Sequence, residues 1–231
     1  MINIKNLDRQ KLAGLFDHTL LKPYASEKDL YKLCEESRTN GFCMVAVNSA
    51  PVKLCKAFLA GSAIHVGAAI SFPLGQTTIP CKLFEIEQAL EDGADEIDYV
   101  INLGELKNKN YRYLQDEMQR ITDICRESGA IVKAIFENCY LTKEEIKIMC
   151  EIANQVRPDY IKTSTGFGTG GAKADDVSLM KSIVGDTIKV KAAGGIRSWI
   201  DCKAMLEAGA ERIGTSSSLK ILQEFETAVY S

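Results

Sequence analysis

Short apolar runs rich in β-branched residues alternate along the chain with longer segments whose apolar residues recur every three or four positions. The short runs predict buried strands, and the longer segments predict amphipathic helices packed against them. The predicted strands cover residues 17–21, 43–48, 65–71, 96–101, 131–136, 159–163, 188–192 and 211–215. The predicted helices cover residues 27–40, 50–60, 78–93, 108–128, 143–155, 174–184, 198–208 and 218–228, with a further short helix at 8–15.

Local signals mark several ends of these predicted helices. Three helices begin with a hydroxyl residue that is followed three positions later by an acid, at Ser26, Thr142 and Ser198. This arrangement resembles a capping box, in which the two side chains bond to free backbone N–H groups of the first turn. Three helices are followed by a glycine, which accepts the left-handed backbone that ends a helix. These glycines are Gly41, Gly93 and Gly209.

The eight strand-helix units predict a (β/α)8 TIM barrel of the α/β class, with the short helix at 8–15 added before the first strand. The length of 231 residues agrees with the roughly 250 residues typical of that fold. An open, doubly wound sheet gives the same alternation and stays open as the alternative. Since no linker, low-complexity run or shift in composition interrupts the chain, we expect one barrel domain over residues 1–231.

Composition and charge exclude several classes of function. The net charge is −3, from 28 Lys and Arg against 31 Asp and Glu, and no basic arm is present, so nucleic acid is not expected as a partner. No apolar stretch approaches the ~18 residues of a membrane span, and the N-terminus carries no recognisable secretion signal. Eight cysteines without a Cys-x-x-Cys pair, together with two histidines, do not favour a zinc site. We therefore expect a cytoplasmic protein with reduced, mostly buried thiols.

Barrel enzymes place their active sites at the C-terminal ends of the strands, and here those ends are rich in charged and polar residues. They are Asp17, His18, Asn48, Ser71, Asp98, Asn102, Glu137, Lys162, Lys191, Ser216 and Ser217. Lys162 and Lys191 stand out, because each ends an apolar run and precedes a glycine-rich loop. A solvent-facing lysine or a phosphate contact is the ordinary explanation for one such residue, whereas two on neighbouring strands favour a shared chemical role.

The two lysines together can supply an amine nucleophile. A Schiff base requires a neutral amine, yet the pKa of a free lysine is about 10.4. Two ammonium groups ~6 Å apart repel by roughly 3 kcal/mol at an effective dielectric of ~20, which corresponds to about 2 pK units. Partial desolvation in the barrel mouth adds to this shift. One lysine can then attack a small aldehyde while the other stays protonated, although this arithmetic does not assign the two roles.

Acidic residues on the strands are candidate partners for these lysines. Asp98 lies inside the pattern of the fourth strand, where a carboxylate needs a partner. It either forms a structural ion pair, or holds Lys191 protonated and relays protons through a water molecule. Asp17 on the first strand is a second candidate catalytic acid of the same kind. Lys133 and Glu137 share one face of the fifth strand, and we interpret them as supporting charges.

Turns rich in glycine and serine after the seventh and eighth strands predict a phosphate site. Each passes from strand through loop into helix, so backbone N–H groups and hydroxyls can surround an anion there. Each turn alone fits any tight connection, and it is the occurrence of both at these two strands that favours phosphate. The predicted substrate- and phosphate-binding residues are Gly166, Gly194, Gly195, Gly214, Ser216 and Ser217.

At these residues the chain resembles the deoxyribose-phosphate aldolases, a family of Schiff-base aldolases. The resemblance covers nearly the whole chain. It includes the runs Asp17-His-Thr-Leu-Leu-Lys-Pro, Lys162-Thr-Ser-Thr-Gly-Phe, Val190-Lys-Ala-Ala-Gly-Gly-Ile-Arg and Arg212-Ile-Gly-Thr-Ser-Ser. The family often carries Cys-Val-Asn-Pro on the second strand, where this chain has Ala46-Val47-Asn48-Ser49. That departure concerns the aldehyde pocket and none of the expected catalytic groups.

The resemblance implies that Lys162 forms the Schiff base and that Lys191 and Asp98 transfer protons, without a metal or organic cofactor. The implied reaction is the reversible cleavage of 2-deoxy-D-ribose 5-phosphate into D-glyceraldehyde 3-phosphate and acetaldehyde. The implied partners are therefore a sugar phosphate and small aldehydes, with a homodimer or homotetramer as the assembly. Two other functions stay open: a metal-free sugar-phosphate isomerase, and a catalytically silent protein that binds sugar phosphates.

Overall fold

Parallel strands pair in sequence order and close on themselves in the computed structural model, which describes residues 2–230. The strands are β1 (Phe16–Thr19), β2 (Met44–Asn48), β3 (His65–Ile70), β4 (Glu96–Val100), β5 (Ile131–Ile135), β6 (Tyr160–Lys162), β7 (Lys189–Ala193) and β8 (Arg212–Thr215). Closure is completed by β1 and β8, where Asp17 pairs with Gly214. The closed ring confirms the (β/α)8 barrel and excludes the open, doubly wound sheet.

Helices surround this barrel, and their bounds agree with the predicted segments except at one place. They are α1 (Arg9–Ala13), α2 (Glu27–Asn40), α3 (Val52–Phe58), α4 (Ile79–Glu91), α5 (Leu103–Lys107), α6 (Tyr111–Glu127), α7 (Lys143–Val156), α8 (Ala174–Val184), α9 (Trp199–Glu207) and α10 (Ser218–Tyr230). Short 3-10 turns occur at Ile4–Asn6 and Asn138–Tyr140. Within residues 2–230, no helix combines the length and the apolar character needed to cross a bilayer.

The segment predicted as one helix over residues 108–128 is wrong at its start. A separate short helix, α5, precedes α6, and Asn108 closes α5 rather than opening the next helix. Lys109 has a left-handed backbone with φ 58°, which interrupts the helical path. Asn110 then caps α6, because its side-chain oxygen accepts a hydrogen bond from the Tyr113 N–H.

Two of the three predicted capping boxes are complete. Ser26 and Thr142 each exchange hydrogen bonds with the acid three residues later. At Ser198 half of the prediction is wrong: the hydroxyl accepts from the Asp201 N–H at 3.1 Å, but the Asp201 carboxylate accepts from the Arg197 N–H at 3.1 Å. The predicted glycines have the expected left-handed backbone, with φ 71° at Gly41, 98° at Gly93 and 106° at Gly209.

Alternate side chains of each strand separate the buried charges inside the barrel from the apolar core between the strands and the helices. Successive side chains in a strand point to opposite faces, so one set fills the barrel and the other packs against the helices. The outward set includes Val45, Ile97 and Val190, which belong to the apolar core between strands and helices. The inward set carries the buried charges of the site, and Asp17 therefore points into the barrel, whereas its neighbour His18 packs outward against the ring of Phe42.

A buried ion pair joins α4 and α6 to the end of β4. The Lys82 ammonium lies 2.7 Å from the Glu117 carboxylate, and both side chains are fully buried. Lys82 Nζ also donates to the Val100 carbonyl oxygen at 2.6 Å, and Glu117 accepts from the Asn102 N–H at 3.1 Å. The pair thus satisfies two backbone groups at the exit of the strand as well as each other.

Candidate active site

Asp98 is the centre of the candidate site, because three lysine side chains share its carboxylate. Its Oδ1 accepts a hydrogen bond from Lys133 Nζ at 2.7 Å. Its Oδ2 accepts from Lys162 Nζ at 2.8 Å and from Lys191 Nζ at 2.6 Å. Strand register accounts for this meeting, since Asp98 lies beside Lys133 across β4 and β5, and Lys162 beside Lys191 across β6 and β7.

The amine of Lys162 is buried and partly neutral near physiological pH. Its side chain is 5% exposed. Burial lowers the pKa of Lys162 to about 8, against the opposing charge of Asp98 and with a smaller lowering from the charge of Lys191. The sequence predicts repulsion from Lys191 as the leading cause of the lowered pKa, and this prediction is wrong, because loss of water around the amine lowers the pKa more.

The carboxylate of Asp98 and the ammonium of Lys133 hold their ordinary charges. Burial alone would raise the pKa of Asp98, but Lys133, Lys162 and Lys191 together hold it well below its usual value. Burial would likewise lower the pKa of Lys133, but Asp98 and Glu96 hold it above its usual value. Asp98 is therefore an anion and Lys133 a cation.

Asp17 is a second carboxylate that pairs with Lys191. Its Oδ2 pairs with Lys191 Nζ, and its Oδ1 accepts from Arg212 Nη1 at 2.7 Å. Arg212 also lies 3.5 Å from the Glu96 carboxylate, which in turn pairs with Lys133. The structure thus brings Asp17 to the other candidate catalytic residues, as a contact of Lys191 rather than of Lys162.

These contacts form one interior cluster, which we define as the connected charged residues inside the barrel. Among residues 2–230 it comprises the carboxylates Asp17, Glu96 and Asp98 and the basic side chains Lys133, Lys162, Lys191 and Arg212. Half-exposed His65 borders the cluster and bonds Glu96 at 2.7 Å. When Lys162 is neutral, the three anions of the cluster face three cations, and this balance favours the neutral amine in a buried site.

A cavity of about 230 Å³ opens beside Lys162 at the C-terminal ends of the strands. The predicted binding residues that line it are Gly166, Gly194, Gly195, Gly214 and Ser216. Ser217 does not line the cavity, and its N–H is used internally, donating to Thr215 Oγ1 at 2.9 Å. Two exposed cations that the sequence argument did not single out, Lys22 and Arg197, also line the cavity and supply positive charge at its mouth.

Gly214 has no side chain, and this leaves room for the side chain of Lys191. A side chain added there would place its Cβ 3.0 Å from Lys191 Cε and 3.0 Å from Ala193 Cβ. Phosphate binding by Gly214 stays a prediction, and the structure shows a separate reason for glycine here, because Lys191 occupies the volume that a larger residue would take. The lysine's path to Asp98 depends on this missing side chain.

The loops after β6 and β7 pack backbone against backbone. The Ala172 N–H donates to the Gly194 carbonyl oxygen at 2.9 Å, and a Cβ at Gly171 would lie 2.2 Å from that oxygen. Gly194 itself has a left-handed backbone with φ 85°. Glycine is therefore required on both sides of this contact, which holds the two cavity-lining loops together.

Glu137 and two aromatic rings complete the surroundings of Lys162. Glu137 lies beyond the end of β5, and its carboxylate accepts from the Thr165 N–H at 3.2 Å and from the Thr165 hydroxyl. Burial raises the pKa of Glu137 despite these bonds. The ring of Phe72 lies 5.9 Å from Lys162 Nζ and meets the ring of Phe167 edge-on at 5.6 Å. Nothing in the sequence signals this arrangement, because Phe72 and Phe167 are far apart along the chain.

Several polar residues expected at strand ends have structural partners instead of facing the cavity. The hydroxyl of Ser71 bonds Thr77 Oγ1 at 2.7 Å, and Asn102 caps α5 by accepting from the Glu105 N–H at 3.1 Å. Asn48 Nδ2 donates to the Leu21 carbonyl at 3.5 Å. His18 bonds Ser218 and Glu36 on the outer side of the barrel.

Comparison with known proteins agrees with an aldolase site. A family model described as "DeoC/LacD family aldolase" matches residues 12–224. The chain belongs to the DeoC/LacD family of aldolases. Among DeoC/LacD relatives, the deoxyribose-phosphate aldolase of Lactobacillus acidophilus is 56% identical over 211 residues, covering 91% of this chain and 89% of the relative. That of Thermococcus kodakarensis is 48% identical, covering 94% of this chain and 98% of the relative.

A solved structure shares the fold of this DeoC/LacD aldolase. The deoxyribose phosphate aldolase of Aeropyrum pernix, described as having a unique tetrameric structure, superposes with a TM-score of 0.89 at 32% identity. The superposition covers 96% of this chain and 94% of the Aeropyrum chain. The family resemblance drawn from the sequence is thereby confirmed.

Proposed function

We propose that this protein catalyses the reversible cleavage of 2-deoxy-D-ribose 5-phosphate into D-glyceraldehyde 3-phosphate and acetaldehyde, with Lys162 as the Schiff-base lysine. The observation that carries the assignment of Lys162 is its buried amine of lowered pKa, hydrogen-bonded to the carboxylate that it shares with Lys191. Membership of the DeoC/LacD aldolase family and the names of the relatives support the substrate.

The first step is imine formation at the amine of Lys162. The neutral amine attacks the C1 aldehyde carbon of the open-chain sugar, and the carbonyl oxygen becomes the hydroxyl of a carbinolamine. Lys191 gives this hydroxyl a proton, water leaves, and the C1 iminium remains. Asp98 contacts both nitrogens and keeps Lys191 close to the reacting carbon, because both lysines bond to the same oxygen.

The iminium then accepts the electron pair of the bond that breaks. The C3 hydroxyl loses its proton through a water molecule to Asp98 or Lys191, the C2–C3 bond opens, and D-glyceraldehyde 3-phosphate is released with an aldehyde at the former C3. The electron pair leaves an enamine on Lys162. Protonation at C2 and hydrolysis of the resulting imine release acetaldehyde and restore the amine.

The substrate phosphate binds at the far end of the cavity from Lys162 in this proposal. Lys22 and Arg197 line the cavity with the glycine turn Gly194-Gly195 and with Ser216. Two exposed cations match the charge of a phosphate monoester, and the loop backbone offers N–H donors. The catalytic lysines, by contrast, are paired with carboxylates and are not free to attract the phosphate.

The proposal also includes the cytoplasm as the compartment and a homodimer or homotetramer as the assembly. The cysteine pattern of the sequence supports a reducing compartment. The Aeropyrum relative is described as tetrameric, which supports an oligomer here. Analytical ultracentrifugation of the purified chain decides between the two assemblies.

Borohydride trapping tests the covalent step. Reduction in the presence of acetaldehyde is expected to add one two-carbon unit irreversibly to Lys162, located by peptide mass spectrometry. Lys162→Arg removes the trapped mass and the cleavage activity, because an always-charged guanidinium does not form an imine. Lys189→Arg is the matched control, since Lys189 is an exposed lysine on the strand beside β6 and its loss leaves the adduct in place.

Other outcomes of this experiment contradict the proposal. An adduct on a different lysine overturns the assignment of Lys162. Turnover of a sugar phosphate without any trapped adduct indicates an isomerase. Binding of the pentose phosphate without aldehyde release, measured by coupled reduction of acetaldehyde, indicates a silent binding protein.

A further inference from the structure

His18 is a buried histidine that the proposed reaction does not use. It points away from the barrel interior, lies between β1, α2 and α10, and is 4% exposed. Its Nδ1 is 3.0 Å from the Ser218 hydroxyl, and its Nε2 is 2.9 Å from the Glu36 carboxylate. Burial lowers the pKa of His18, although Glu36 opposes this effect. One side chain therefore joins three separate elements beside the cavity.

The partner of His18 on α10 belongs to the turn that carries Ser216. Ser218 is the first residue of α10, is fully buried, and its hydroxyl also lies 3.3 Å from the Thr215 carbonyl oxygen. Thr215 is fixed in turn to the loop after β7, because its hydroxyl donates to the Ile196 carbonyl at 2.7 Å. Exposed Ser216, which lines the cavity, thus lies between two anchored residues.

The hydrogen bonds define what His18 contributes. With the Glu36 carboxylate as acceptor of the Nε2–H, Nδ1 is left as an acceptor for the Ser218 hydroxyl. This order resembles the serine, histidine and acid of hydrolases. Ser218, however, is fully buried and does not line the cavity, so it is not available to a substrate carbonyl. The contact fixes the first turn of α10 rather than activating a nucleophile.

We propose that His18 is a positioning residue that fixes the Ser216 turn for the substrate phosphate, and thereby sets the preference for phosphorylated over phosphate-free sugar. The inference rests on the proposed function. A substrate without the phosphate does not use this turn, whereas a phosphorylated substrate loses binding when the turn is free to move. The Nδ1 bond to Ser218 carries the effect, because it is the bond that reaches α10.

Two amide substitutions separate the two ring nitrogens. The amide of His18→Asn reaches about the position of Nδ1, and the longer His18→Gln reaches about that of Nε2. His18→Asn is therefore expected to keep the contact with Ser218, and His18→Gln to keep the contact with Glu36. His18→Leu removes both, and Ser218→Ala removes the α10 partner without changing the histidine.

The measurement is the ratio of kcat/KM for 2-deoxyribose 5-phosphate to that for 2-deoxyribose. His18→Gln, His18→Leu and Ser218→Ala are expected to lower this ratio about tenfold through KM of the phosphorylated sugar, the size expected for one well-formed hydrogen bond. His18→Asn is expected to stay within about twofold of the parent. Ser37→Ala, which removes another fully buried hydroxyl from α2, is the matched control and leaves the ratio unchanged.

Equal losses for both sugars overturn the inference, because they indicate a general structural role for His18. An unchanged ratio in Ser218→Ala overturns it as well, and this variant decides the matter if His18→Leu does not fold. Acetaldehyde trapping on Lys162 of the parent enzyme is run alongside. Normal trapping with an unchanged ratio defeats the positioning role alone, whereas absent trapping defeats the proposed function.

Discussion

At the scale of single residues, the position of the Lys191 amine depends on the lack of a side chain at Gly214. Lys191 occupies the space above Gly214, and a Cβ there would approach Lys191 Cε to 3.0 Å. The backbone of Gly214 does not have a positive φ, so alanine is acceptable to the main chain. The new Cβ would also lie 3.0 Å from Ala193 Cβ, so β7 and β8 must give slightly, while the flexible end of Lys191 moves away.

Gly214→Ala is expected to displace Lys191 from Asp98 and to lower kcat by roughly 100-fold, the loss that a displacement of about 1 Å causes at a reacting centre. Far-UV circular dichroism is expected to stay unchanged, because a shift of a few tenths of an ångström between β7 and β8 leaves the secondary structure intact. Gly14→Ala is the matched control: its Cβ meets atoms no closer than 3.5 Å, at a distance from the site. Equal kcat values in Gly214→Ala and the parent would show that Lys191 reaches Asp98 by another path.

The sequence located the charged residues of the site because lysines and aspartates are rare in apolar strands. It predicted the contact of Asp98 with Lys191, which the structure shows, but not the other pairs of the cluster. The pairing of Asp17 with Arg212 depends on closure of β1 against β8, residues almost two hundred positions apart in sequence. The leading cause of the lowered pKa of Lys162 is burial, which is a property of the folded barrel and not of the motif. The direction of His18 was readable in principle, because alternate strand residues point to opposite faces.

At the scale of elements, the ion pair of Lys82 and Glu117 joins two helices and a strand end. Lys82→Met leaves the Glu117 carboxylate buried without its cation, and we expect a loss of about 3–5 kcal/mol in the free energy of unfolding. Urea denaturation measures this loss. Lys82→Met with Glu117→Leu is expected to recover part of it, since no charge is then left unpaired.

The recovery is expected to be incomplete for a structural reason. The Val100 carbonyl and the Asn102 N–H lose their side-chain partners in the double variant. Lys203→Met, in an exposed pair with Glu207 on α9, serves as the control and should leave the free energy of unfolding nearly unchanged. A double variant less stable than both single variants would contradict the argument from unpaired charge.

The helices were predicted well where a complete capping box begins them, and less well where the cap is a single asparagine. The complete boxes at Ser26 and Thr142 begin helices at the predicted residue. The break before α6 depends on Asn110 as cap and on the left-handed Lys109, and lysine gives no sequence signal of that backbone. The predicted segment starts at residue 108, so the short helix α5 lies outside it and was not predicted.

At the scale of the whole molecule, closure of the sheet was the step that the sequence pattern left open. Alternating strands and helices fit both a ring and an open sheet, and the difference lies in the pairing of the first strand with the last. Closure also creates the interior cluster, because it brings inward charges of separate strands into one small volume. Fold and site are therefore consequences of the same pairing.

The interior cluster holds equal numbers of anions and cations when Lys162 is neutral. This state of Lys162 decides how many protons are taken up during catalysis. A neutral amine that becomes an iminium needs one added proton, which Lys191 gives to the leaving hydroxyl and then regains from the solvent, whereas an ammonium that becomes an iminium needs none. With a pKa of about 8, binding of acetaldehyde should absorb close to one proton per site at pH 9 and about 0.1 at pH 7. Titration calorimetry in buffers of different ionisation enthalpy measures this number, and Lys162→Arg should reduce it to zero. A proton uptake that falls as the pH rises would contradict a neutral amine. A proton uptake that rises with pH means that iminium formation at the start of each turnover takes a proton from the solvent.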